Sequence, residues 1–78
     1  MELKKAIEKG KKKHHESYAS LVILVNEVIV PRGYKPINHR QELFNIVKNG
    51  YGNVILSKNN VVLDALLDIL DIDVEDVE

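Results

Sequence analysis

"HHESYASLVILVNEVIVP", residues 14–31, decides how this chain folds. Its β-branched residues would suit a strand. Advanced by about 100° per residue, however, Leu3, Ile7, Gly10, His14, Tyr18, Leu21, Val25 and Val28 fall on one stripe, with Lys5, Lys9, Lys12 and Glu16 on the far side. The stripe enters the apolar stretch in phase from upstream. This predicts one long N-terminal helix that stops at Pro31, where the missing N–H breaks the ladder. Ala19, Ile23 and Val30 lie opposite the stripe, so from Tyr18 onward the helix is apolar almost all round. A helix of that kind is buried on all sides. A chain of 78 residues can hardly surround one, and the expectation is a homodimer with Tyr18, Ala19, Val22, Ile23 and Val30 at its interface.

Downstream, "PRGYKPINH" (31–39) is turn punctuation. Asn38 is placed to cap a second helix over residues 39–49, with Gln41 three residues on in a capping-box arrangement. Gly50 is placed as a left-handed stop. In "VILSKNNVVLDALLDILDI" (54–72) the pair Asn59–Asn60 fits either a hairpin turn or the cap of a third helix. The helix, over about residues 60–71, is the preferred reading, with 52–57 extended. The expected fold is therefore mainly α, a small three-helix domain, with an α+β form carrying a short hairpin around 54–63 as the alternative. It forms one domain over residues 1–72, followed by an acidic tail at 73–78 that is expected to fray, because acids oppose the dipole at a helix C-terminus.

Composition bounds the chemistry. A domain this small buries only about 60% of the surface of its unfolded chain, so a partner subunit is a natural source of extra stability. There is no cysteine, which removes disulfides and thiolate sites and fits a reducing, cytoplasmic setting. Residues 1–15 are polar and resemble no secretory signal. The longest apolar run, Leu21–Val25, is far short of the ~20 residues of a membrane span, so no membrane partner is expected. Abundant Lys, Asn and Ile, all with AT-rich codons, point to an AT-rich phage, viral or prokaryotic source. The net charge of −1 hides an asymmetry: residues 1–63 hold eleven bases and five acids, residues 64–78 seven acids and no base. That pattern fits a solvated surface, tail-regulated nucleic-acid contact or head-to-tail association.

No cofactor or metal is expected. His14 and His15 are adjacent and on a helix point about 100° apart, and neither has a ligand four residues on. His14 instead lies at the centre of the stripe, as a hydrogen-bonded neutral histidine facing a core or an interface would. Ser17, Ser20 and Ser57 sit in no nucleophile elbow, and "GYG" (50–52) is neither a dinucleotide motif nor a P-loop. Nucleic-acid contact is the first alternative function. Lys5, Lys9, Lys12 and Lys13 on the helix, with Arg32, Lys35 and Arg40 in and after the connecting loop, would neutralise phosphates without reading sequence.

One resemblance bears on chemistry. "EVIVPRGYKPINHRQELFNIV" (27–47) resembles the middle of HEPN-type helical domains, in which a long helix, a Gly-containing loop and a His opening the next helix follow in order. Several HEPN domains are ribonucleases with an Arg and a His a few residues apart, and the resemblance puts Arg32 and His39 in those roles. The Arg would stabilise phosphate charge and the His take a 2′-hydroxyl proton. The chain is short for that family, whose pair lies nearer its last helix. The reading that best fits the residues is a small non-enzymatic regulatory protein that self-associates and binds a protein partner.

Overall fold

The computed structural model describes residues 2–77, without the side chain of Asp76. The chain is mainly helical: α1 (Leu3–His14), α2 (Tyr18–Ile29), α3 (Arg40–Asn49) and α4 (Lys58–Ile69), with 3-10 turns at Val30–Arg32 and Val74–Asp76. No strand occurs among the described residues, so the hairpin alternative around 54–63 is not adopted.

The long N-terminal helix is divided in two. His15 takes the left-handed conformation (φ 55°). Glu16 N–H donates to Lys11 O and His15 N–H to Lys12 O, closing the last turn of α1 in a Schellman-type stop. Ser17 then opens α2 with a capping box: Ser20 N–H donates to Ser17 Oγ, and Ser17 N–H to Ser20 Oγ. The box satisfies N–H groups that a new helix would otherwise leave bare. The angular stripe survives the break because both helices turn the same kind of residue inward, Leu3, Ala6, Ile7 and Gly10 from α1, then Leu21, Val25 and Ile29 from α2.

Capping differs from expectation at three further places, the last being Gly50, which stops α3 without the left-handed conformation expected of it. α3 is capped at His39, not Asn38, and without a side-chain bond. The connecting loop is fixed upstream by Asn26, whose amide accepts from Ile37 N–H (2.8 Å) and donates to Ile37 O (2.9 Å). With Ile37 buried at that point, Asn38 presents its backbone N–H to Glu42 Oε2 instead. α4 begins at Ser57, whose side chain accepts from Asn60 N–H. Asn60 is therefore one turn inside the helix, buried, and clamps the preceding loop: it accepts from Gly52 N–H and donates to Gly52 O and Val54 O. Gly50 has φ 72° with an extended ψ of −167°, a region open essentially to glycine alone.

α4 is the central element. It buries Val61, Val62, Leu63, Ala65, Leu66 and Leu67 and packs against α2 and α3. α1 packs on α3 and crosses the end of α4 at Gly10, where an added Cβ would stand 3.1 Å from Leu70 Cβ and from Ile72 Cδ1. A side chain there would require the Leu70 and Ile72 side chains to give by a few tenths of an ångström. Past the end of α4, Asp71 is again left-handed (φ 54°), with Ile72 N–H donating to Leu67 O. The tail beyond turns back, and Val77 packs against the core.

Candidate interaction surfaces

The expected interface residues occupy two environments. Ala19, Ile23 and Val30 are exposed, Ile23 at 63%, and Val22 is half-buried. Ala19 and Ile23 sit on the outer face of α2, opposite the buried Leu21, Val25 and Ile29, while Val22 packs against the core at its flank and Val30 lies in the 3-10 turn just past the helix. This outer face carries no charge between Tyr18 and Asn26. Tyr18 stands at its edge and is engaged within the chain. Its hydroxyl donates to Glu8 Oε1 (2.7 Å), its ring meets Phe44 edge to face at 5.5 Å, and Lys11 Nζ lies 3.8 Å from the ring centre. Lys4 covers the Phe44 ring. The Tyr18 hydroxyl and the neighbouring Lys11 hold the Glu8 carboxyl below its usual range, against the opposing effect of burial. Burial, reinforced by Glu8, pushes the Tyr18 hydroxyl well above its usual range.

The lysines of α1 divide likewise. Lys11 pairs with Glu8 (3.3 Å). Lys5, Lys9, Lys12 and Lys13 are exposed and form no ion pair among the described residues. Lys9 and Lys13 line a groove with Asp71 and Asp73 over a floor of Ala6, Gly10, Leu70 and Ile72. The basic helix and the acidic tail therefore lie side by side in one molecule, each weakening the field of the other. Arg32 and Lys35 are exposed around the 30–37 loop, while Arg40 lines a shallow groove with Tyr18, Gln41 and Phe44.

Arg32 and His39, the pair implied by the HEPN resemblance, are both exposed. No hydrogen bond joins them and no cavity holds both among the described residues. His14 is half-buried where α1 meets the end of α4. Its Nε2 is shielded from solvent without a hydrogen bond, 3.8 Å from Asp71 Oδ2. No group of three metal-ligating side chains converges among the described residues, and no described helix is long and apolar enough to cross a membrane.

One surface does not follow from residue spacing. Val54, Ile55 and Leu56, expected to be extended chain, form an exposed aliphatic loop, 67%, 81% and 74% accessible. Asn60 pins its start, and Tyr34 Oη donates to Leu56 O at its end (2.8 Å). The available signal was three consecutive aliphatics between turn residues, without the alternation of a half-buried strand. No protein-family model, no curated protein and no solved structure matches this chain.

Proposed function

We propose that the protein is a small non-catalytic interaction module of a reducing, cytoplasmic setting, which pairs with itself through the outer face of α2 and offers its charged surfaces to a protein partner. The observation that carries this reading is Ile23, a large aliphatic side chain 63% exposed at the middle of a helix. Its neighbours Ala19, Val22 and Val30 extend the patch along the same side. In a face that meets its own copy about a two-fold axis, a group near the axis meets its own equivalent. The Ala19–Ile23 part of the α2 face carries no charge, with exposed Glu27 one turn on at its edge; the lysines of α1 and the acids of the tail suit a partner of opposite sign. Small Ala19 lets two helices approach closely around the Ile23 pair.

The test is Ile23→Asp. A charge placed in the dimer contact should dissociate it, while the thermal unfolding of the monomer should change little, because the side chain faces water there. Retention of the dimer in this variant would remove α2 as the interface.

A second reading rests on Lys5, Lys9 and Lys12, which repeat along one side of α1 unpaired. Under it the helix grips nucleic-acid backbone, and binding falls steeply as salt rises. Titration of labelled DNA and RNA at two salt concentrations separates the readings. Binding at low salt that is lost when the three lysines are changed to Ala favours the second, and no binding at low salt removes it.

A further inference from the structure

We infer that the chain also associates head to tail, the aliphatic loop of one copy seating in the acidic groove beside α4 of the next. This contact is separate from the α2 face and does not depend on it.

The loop has the form of a binding element. Val54, Ile55 and Leu56 are each more than two-thirds exposed, although single exposed aliphatics are the ordinary case. Its backbone is already fixed, by Asn60 at Gly52 and Val54 and by Tyr34 at Leu56. Little chain entropy remains to be lost on binding. Bases stand beside it. Lys58 follows Leu56 by two residues and lies 3.5 Å from Glu42, and exposed Lys35 adjoins Tyr34, whose hydroxyl holds Leu56 O.

The complementary surface is on the same chain. Tyr51, Asp64, Leu67, Val74 and Val77 line a mainly apolar groove of about 250 Å³. That is smaller than the ~300–1,000 Å³ of a small-molecule site and suits a branched side chain better than a metabolite. Every charged residue after Lys58 is an acid, and Asp64, Asp68, Asp73 and Glu75 are exposed. An apolar loop flanked by Lys58 and Lys35 thus faces an apolar groove lined by Asp64 and adjoining Glu75. The loop is anchored at the start of α4 and the groove lies along its second half, so in its own molecule the loop stays in water. The contact is heterologous, leaves a free loop at one end and a free groove at the other, and propagates. Charge complementarity sets its partner and its orientation.

The experiment is sedimentation of the full chain carrying Ile23→Asp, which silences the α2 face. At low salt the average mass should climb with concentration without levelling at a dimer. At ~0.5 M salt, where screening acts over only a few ångströms, the association should weaken by at least tenfold. Ile55→Asp removes the loop and Val74→Lys with Glu75→Lys removes the groove; all three residues are exposed, so folding is retained. Each variant alone should be monomeric, and an equimolar mixture should form a one-to-one pair, since one supplies the loop and the other the groove. A monomer throughout overturns the head-to-tail contact and leaves the α2 reading untouched. Failure of the mixture to pair, or loss of association through only one of the two surfaces, overturns it as well.

Discussion

α2 and α4 are both twelve-residue helices rich in aliphatic side chains, yet the molecule treats them oppositely. α2 is the more apolar by sequence, with Glu27 its sole charge, but buries only Leu21, Val25 and Ile29. α4 carries two aspartates and two asparagines and buries seven residues, including Asn60. The difference is position. α4 lies between α2 and α3 and meets the end of α1, so neighbours cover it on several sides. α2 packs on α3 and α4 with Leu21, Val25 and Ile29 buried and Tyr18, Val22, Leu24 and Val28 half-buried against the core, which leaves Ala19 and Ile23 uncovered. The apolar surplus of α2 is therefore not needed by the monomer. It is on this uncovered apolar surface that we propose the contact with a second copy.

Mutations sharpen this contrast, and the largest effect belongs to α4. Leu66→Ala, at a fully buried site, should destabilise the fold by about 2–5 kcal/mol, measured by chemical denaturation. On α2 the counterpart Ile23→Ala should shift monomer stability by less than about 0.5 kcal/mol. Equal costs at the two sites would break the comparison. Next is Asn60→Ala, which removes the buried amide and leaves Gly52 N–H and two carbonyls to find other partners; the expected loss is about 1–3 kcal/mol, with faster amide exchange in the 50–57 loop.

Tyr18→Phe should cost about 1 kcal/mol, discounted for partial exposure, and should change the pH dependence. The Glu8 carboxyl is held below its usual range, so its contribution is present above the unfolded carboxylate range and is lost as pH falls through the folded value. Removing the Tyr18 hydroxyl should flatten that acid limb. The raised hydroxyls of Tyr18 and Tyr51 act in the other direction. Their contribution is complete below the ordinary tyrosine range and is lost as pH rises above about 10. The opposite sign is expected at His15→Gly, which relieves a left-handed non-glycine residue and should raise stability by about 1 kcal/mol in chemical denaturation.

Much of the fold could be read from residue spacing. The inward faces of α1 and α2, the stop at Pro31, the second helix and the helical choice after Asn59 all follow from periodicity and turn residues. The break at His15–Ser17 escaped because the stripe runs across it in phase. Ser17 and Ser20 stand at capping-box spacing, but serine at the last position is a weaker sign than glutamate or glutamine. Asn60 looked like a cap because nothing local shows that Ser57, three residues earlier, would take that place and turn the amide inward. The surfaces were legible only in part. The outer face of α2 could be named from angle alone. That Tyr18 is engaged by Glu8 and Phe44, and that the acidic tail lies beside the basic helix, depend on contacts distant in sequence, as does the anchoring of the aliphatic loop by Tyr34.

The central claim is that the outer face of α2 is a contact between copies. Sedimentation equilibrium of the unmodified chain and of Ile23→Asp, at high salt where charge pairing is screened, tests it most directly. The account predicts a dimer for the parent at tens of micromolar and a folded monomer for the variant. A parent that remains monomeric at those concentrations, or a variant that keeps the parent's mass, would contradict it.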